Sequence, residues 1–391
     1  MSAYVVKTKA LIDGTGSEPI PGGMFRVEDE KIVAVGKELP TDGAEVIDLS
    51  EYTVMPGLID CHTHLSIVPA EGNQLAQMRL PAGRNVLRSL PNIQKELESG
   101  VTTMRIMGEE HHIDVDIRRG IEEGLIVGPR LNISGHGIVA SNGHGVGITT
   151  SDGEVEVRKN IRSNFAAGTD FVKMFMTGGM SSTRPPVDFC GFSREEVRAA
   201  VEEANRMRTY VAAHAHGGPG VDMCIEEGVR SIEHGALMTD EQIARAVEKD
   251  MWVVGTFSIT FHPTGIEQTD FSNPAIKAKV LKGREKTAET FGKIFKAGMN
   301  YGLGTDSMHG LIAFEMECAV RFGATNMEAI KAVTGNAAKL LMMEDEVGTI
   351  ENGKWADFIA VEGDPLADIR AMASVKKVFK GGKLVVNKVN A

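Results

Sequence analysis

Eight short apolar segments recur through the middle of the chain: VMPGLID, VTTMRIM, RLNISGH, DFVKMF, YVAAHA, RSIEHG, MWVVGTF and NYGLGTD. Stretches with helical spacing separate them. SREEVRAAVEEANRMR and TDEQIARAVEKD each open on a Ser or Thr cap followed by an acidic first turn. Strands that alternate with helices cannot pair as hairpins, because each crossover returns the chain in the same direction. They predict a parallel sheet, and eight such units predict closure. The expected fold is of the α/β class, a (β/α)8 TIM barrel over residues 57–344.

The two ends have another pattern. AYVVKTKALIDGTG, GMFRVEDEKIVAVGKEL and AEVIDLS at the start, with GTIENGKWADFIAVEGDP and VKKVFKGGKLVV at the end, alternate short apolar runs with turns. They predict a small β-sandwich domain built from both termini, residues 1–56 plus 345–391. The longest loop signals, TGGMSSTRPPVDFCGF and SITFHPTGIEQTDFSN, follow the fourth and seventh strands. Barrels of this kind place their sites at those strand ends, so both loops are expected to form a lid or substrate wall.

Composition matters for what it excludes. A chain of 391 residues that is 42% hydrophobic has ample material for a core. Lys plus Arg number 42 and Asp plus Glu 53, a net charge of −11 with no basic run. That balance argues against nucleic acid and anionic membrane as partners and leaves a small-molecule substrate. No apolar run reaches 18 residues and the start lacks a signal-peptide pattern. A cytoplasmic protein is expected, and a homo-oligomer. Cys61, Cys190, Cys224 and Cys318 are scattered, which predicts free thiols in a reducing compartment.

The ionisable residues then fall in a pattern. His62 and His64 end the first strand, two apart and so on one face; His136 ends the third, His214 and His216 the fifth, His234 the sixth and Asp306 the eighth. Lys173 lies inside the fourth. Taken singly, a strand-end histidine is usually a satisfied polar residue, and Asp306 in GTDS would serve as a turn or cap residue. Lys173 resists that reading, because a buried ammonium must be paired or neutralised. Together, His62, His64, Lys173, His214, His234 and Asp306 lie at the same end of five strands, which predicts a metal centre. Imidazole and carboxylate suit borderline and harder cations. Six ligands exceed what one tetrahedral zinc needs; two metals about 3.5–4 Å apart, bridged by a water, would use them all.

With DCHTH, FVKMF, AAHAHG, SIEHG and GTDS in these places, the chain resembles the amidohydrolase superfamily of metal-dependent hydrolases. VMPGLIDCHTHL and GTIENGKWADFIAVEGDPL resemble that family's flanking β domain, so the likeness spans nearly the whole chain. The resemblance implies two divalent metal ions, zinc being expected, bridged by a carboxylated Lys173. His62, His64 and Asp306 would hold the more buried ion, and His214 and His234 the exposed one. Asp306 would also act as general acid and base.

YVAAHAHG, GVRSIEHGALM and FVKMFMTGG look like the branch of prolidase-like and Xaa-Arg/Lys dipeptidases and imidazolonepropionase-like proteins. In the prolidase-like branch a histidine in the loop after the third strand reaches the substrate carbonyl. Here SGHGIVASNGHGVG offers two. His144 is the catalytic choice, with His136, His216 and Arg184 as substrate contacts. His262 and His309 sit on loops from which either could line the pocket, while His111 and His112 are expected to be solvated. Gly217 stands where the superfamily's deaminases carry a glutamate, which disfavours deamination. The implied reaction is hydrolysis of an amide-type C–N bond by a metal-bridging hydroxide, in a dipeptide or N-acyl amino acid first. Carbamate, urea or aryl-amide hydrolysis and cyclic-amide or imidazolone hydrolysis are the alternatives, and a non-enzymatic scaffold is the remote one.

Overall fold

Two kinds of sheet divide the chain. The computed structural model describes residues 3–41 and 43–389. The outermost residues of the expected terminal unit, Met1, Ser2, Asn390 and Ala391, lie outside the described residues. Five strands come first: β1 (Ala3–Leu11), β2 (Ile20–Pro21), β3 (Met24–Glu28), β4 (Lys31–Gly36) and β5 (Glu45–Pro56). Eight follow with helices between them: β6 (Leu58–Thr63), β7 (Val101–Ile106), β8 (Arg130–Ile133), β9 (Val172–Phe175), β10 (Val211–Ala215), β11 (Ser231–His234), β12 (Trp252–Gly255) and β13 (Asn300–Leu303). The chain ends on β14 (Phe358–Val361), β15 (Val375–Lys380) and β16 (Lys383–Asn387).

The first and last groups share one sheet, in the order β16-β15-β14-β5-β1-β3-β4 with β2 against β1. Strands β3 and β14 are three spacings apart in that order. In a flat sheet this would be ~14 Å, from about 4.8 Å per strand. Yet the rings of Phe25 on β3 and Phe358 on β14 meet edge to face with centroids 4.9 Å apart. The sheet therefore curls around its own core, which also takes in Val6, Leu11, Leu49 and Phe379.

The eight central strands, each anticipated from the sequence, are parallel and form two sheets, β6-β7-β8 and β13-β12-β11-β10-β9. Every residue of β6, β7 and β9–β12 is buried. This is the burial expected of parallel strands covered on both faces, and it is why they read as apolar runs. The two sheets touch at both margins. Ile138 bridges to Met174 beside β9. At the other side the Asp306 amide donates to the His62 carbonyl at 2.7 Å. Ser193 and Thr239 cap the helices Arg194–Arg206 and Asp240–Glu248 through capping boxes, as their sequences predict.

VMPGLID differs from its reading as one strand. Val54 to Pro56 close β5 in the terminal sheet, and the central strand begins at Leu58. Gly57 makes the changeover, because a Cβ there would collide with the Thr102 side chain. The segment read as a loop after the seventh strand contains short helices, Ser258–Phe261 and Ile266–Thr269. Among the described residues no helix is long and apolar enough to cross a membrane. The four cysteines are unbridged.

One carboxylate ties the two kinds of sheet together. Asp357, just before β14, accepts from Arg130 Nε at 2.8 Å and Nη2 at 3.2 Å, and from the Gly381 amide at 2.6 Å. Asp357→Ala would leave the guanidinium and a buried amide without their acceptor. Such a loss costs about 2–4 kcal/mol. Urea titration should show it as a lowered midpoint with an unchanged slope; a change below about 0.5 kcal/mol would show that this tie is unimportant.

Candidate metal centre

The parallel strands deliver their C-terminal residues to one end, and there six imidazoles form a contiguous cluster. Ring centroids lie 5.9 Å apart for His62 and His64, 4.7 Å for His62 and His234, and 4.6 Å for His214 and His234. His144 is 4.7 Å from His214, and His216 is 5.0 Å from both His214 and His234. Burial, reinforced by neighbouring cationic groups, holds all six rings in the neutral form. It depresses His62, His214 and His234 well below the usual range, His64 and His216 to about 3, and His144 to about 4. A neutral imidazole keeps one nitrogen lone pair free, which is the form that binds a metal.

The outer partners set which nitrogen that is. His62 Nδ1 lies 2.8 Å from Glu233 Oε2, and His64 Nδ1 2.8 Å from the Gly108 carbonyl. Both neighbours are acceptors, so each Nδ1 carries the proton and each Nε2 presents a lone pair. These two lone pairs face the same carboxylate: Asp306 Oδ1 is 3.6 Å from His62 Nε2 and 3.9 Å from His64 Nε2. Ligand atoms of the three residues all lie within 4.8 Å of one another. Three acceptors converging with no donor between them repel unless a cation lies among them, so this donor set fits a divalent ion.

Lys173 adds to the fit. It is 1% exposed, and its Nζ has no hydrogen-bond partner among the described residues. Its Nζ lies over the face of Phe175, 4.6 Å from the ring centroid. Burial pushes the ammonium down to about 8, against the charges of Glu233 and Asp306. Burial also pushes the Asp306 carboxyl up to about 6, against the Lys173 charge. His234, Asp306 and Ser307 have φ of 76°, 48° and 73°, a region that side chains other than glycine seldom occupy. Tight surroundings hold Asp306 there. Asp60 accepts from the Thr305 amide and hydroxyl and from the His62 amide, locking the two strand ends together.

The expected metal ligands and His144 and His216 all line one narrow cavity of ≈ 70 Å³. Two expected substrate contacts lie elsewhere. His136 packs against His112, with ring centroids 4.0 Å apart, and is fixed by Asn164, outside that lining. Arg184 is exposed and also outside it. His309 bonds Glu96 and the Ile67 carbonyl, and His262 bonds Thr264. Both of these line a separate cleft. His111 is exposed, whereas His112 is half-buried and bonded to Asn164.

The sequence reading missed two groups. Gln74, Leu75 and Met78, on a short helix after β6, form part of the cavity wall. Glu233 and Arg105 form a fully buried pair behind His62, with Arg105 Nη2 at 2.8 Å from both carboxylate oxygens. The available signal was a single charge in each of two strands otherwise built for burial.

A model of the amidohydrolase family matches residues 53–385. Among curated proteins, the chain is similar to the ochratoxinase of Aspergillus niger, at 29% identity over 97% of this chain and 86% of that protein. It is similar to the imidazolonepropionase of Fusobacterium nucleatum subsp. nucleatum at 24% identity, over 94% and 92% respectively. Among solved structures, it matches a Xaa-Pro dipeptidase with methionine bound in its active site, with a TM-score of 0.91 and 29% identity. That match covers 99% of this chain and 100% of the other.

Glu233→Gln tests the outer support of the centre. The amide has one acceptor oxygen where the carboxylate has two, so Arg105 and His62 then compete for it. Losing an outer partner of this kind typically lowers metal affinity 10–100-fold. Competition with a chromogenic chelator should show that loss for zinc. Unchanged affinity would mean that His62 is oriented without Glu233.

Proposed function

The chain belongs to the amidohydrolase family and is a hydrolase of C–N bonds, and from that premise we propose a binuclear metal-dependent enzyme acting on an amide-type bond. The observation that carries the proposal is the convergence of the His62 and His64 lone pairs on the Asp306 carboxylate. His62, His64 and Asp306 would hold one ion, and His214 and His234 a second. Lys173, carboxylated by carbon dioxide, would serve both; its buried amine, without a hydrogen-bond partner among the described residues, supports this. Zinc is the proposed metal. When bound, the ions polarise the scissile carbonyl and acidify the attacking water.

The remaining steps belong to side chains of this protein. Asp306 takes the proton of the attacking water and passes it to the leaving nitrogen as the C–N bond breaks. His144 lines the cavity beside His214, and its buried Nδ1 has no hydrogen-bond partner among the described residues. It is proposed to donate to the substrate carbonyl. His216 is proposed as a further substrate contact.

We infer the rest of the architecture in the same way. The touching margins of the two parallel sheets support a closed (β/α)8 barrel over 57–344. The curled terminal sheet supports a β-sandwich domain from 1–56 and 345–391.

Dipeptides and N-acyl amino acids form one proposed substrate class. The position of Arg184 favours a second. The expected carboxylate partner is exposed and outside the lining, so neutral amides, carbamates or ureas suit the cavity better. A hydrolysis screen of zinc-reconstituted protein across these classes tests the activity, and no turnover of any C–N substrate would refute it.

Two measurements test the centre itself. Elemental analysis after reconstitution with zinc and bicarbonate should find about two ions per chain, falling to about one or fewer in Lys173→Ala. A ceiling of one in the unaltered protein would end the binuclear proposal. Asp306→Asn should lower kcat by on the order of 10²–10⁴-fold. A variant within tenfold of the parent would remove Asp306 from the proton-transfer role.

A further inference from the structure

One wall of the cavity is built by a device that the metal chemistry does not use. The helix Pro274–Ala297 presents Lys279, Gly283 and Thr287 at intervals of four residues, hence along one face. Thr287 lines the cavity. At Gly283 a Cβ would lie 2.6 Å from Met180 Sδ and 2.8 Å from its Cε, so the thioether rests where a side chain would otherwise be. Met180 also lines the cavity. Lys279 fastens the loop that carries it, donating to the carbonyls of Ser182 at 2.8 Å, Pro185 at 3.2 Å and Gly179 at 3.4 Å.

The surroundings of this seat are apolar. Met180 packs with Ala236, Ile259, Ile266, Val280 and Met308 in a cluster of its own, distinct from the main core. Two cations at the rim are already engaged. Lys279 has its ammonium on three carbonyls, and Arg79 donates to the carbonyls of Val146 and Gly147. A charged substituent placed here would lose its water and gain neither of these cations; the Gln74 amide, whose buried Nε2 has no hydrogen-bond partner among the described residues, is a neutral donor that does not replace that water.

We propose that Met180, seated on Gly283 and held by the Lys279 clasp, sets the size of an uncharged apolar group that the substrate carries outside the reaction centre. This rests on the metal-hydrolase reading above and deepens it. Substrates are then amides, carbamates or ureas with a neutral, apolar arm, and arms ending in a carboxylate are rejected. Gly283 is the specificity-determining position. A methyl group there displaces the end of a flexible thioether rather than backbone, and alanine is the better helix former, so the variant retains its fold.

Calorimetric titration of the zinc-reconstituted full chain with three hydroxamic acids tests this without requiring turnover. The probes are acetohydroxamic acid, hexanohydroxamic acid and the monohydroxamate of adipic acid, which has the six-carbon length with a terminal carboxylate. The hexanoyl probe should bind at least about tenfold more tightly than the acetyl probe, because each buried methylene strengthens binding. The adipic probe should lose most of that gain. Gly283→Ala should cut the hexanoyl-to-acetyl affinity ratio by about fivefold or more, since the crowded methionine narrows the arm's site. Adding Met180→Ala to that variant should restore the ratio. Equal binding of the hexanoyl and adipic probes would overturn the proposal, and so would an unchanged ratio in Gly283→Ala. Failure of all three probes to bind would refute the metal-hydrolase reading itself, a result distinct from both of these.

Discussion

The carboxylate of Glu233 is the interaction on which the centre depends. It accepts from Arg105, from the Ser231 hydroxyl at 2.6 Å and from His62 Nδ1 at 2.8 Å. Neither Glu233 nor Arg105 has any exposed surface. Taking two charges out of water costs several kcal/mol for each, and only near-ideal geometry with every lone pair used offsets that cost. The geometry has a chemical result. With its Nδ1 proton held by Glu233, His62 presents its Nε2 lone pair to the cavity. Arg105 is on β7, His62 on β6 and Glu233 on β11. The pair thus spans the two parallel sheets, and the His62 ring is oriented only once both are in place.

The same division of labour runs around this end of the parallel strands. Loops beneath the rim leave amide groups that need acceptors. Carboxylates supply them: Glu109 for Leu65 and Ser66, Glu110 for Ile148 and Thr149, and Glu315 for Phe257 and Ser258. At the outer edge, cations take the carbonyls. Arg79 binds the segment after β8, Lys279 the segment after β9, and Arg284 the Thr260 carbonyl after β12. These cations are engaged on backbone carbonyls and none of them lines the cavity.

The terminal sheet belongs to the same construction. Gly57 passes the chain from β5 into β6 within one residue, five positions before the first imidazole. Its amide donates to the Asp357 carbonyl, while the Asp357 carboxylate holds Arg130 at the start of β8. A residue near the C-terminus thus braces the base of two central strands. This explains why strands from both ends of the chain enter one sheet.

Much of this was legible in the sequence because its signals are local. A period of two puts His62 and His64 on one face, and strand-helix alternation puts all central strands parallel. Their C-termini, with His214, His234 and Asp306, then share one end. Lys173 was recognisable as anomalous, since a lone ammonium in a buried strand has no ordinary explanation. What folding alone decided were the non-local pairings. Arg105 and Glu233 are 128 residues apart, and neither carries a mark that names the other. Of two histidines in one glycine-rich loop, His144 lines the cavity while His136 is drawn to His112 and Asn164. Arg184 is turned outward, and Gly283 matters because of a methionine about a hundred residues before it. Periodicity specifies the face on which a side chain lies; which groups meet across the molecule follows from strand order and the distances it imposes.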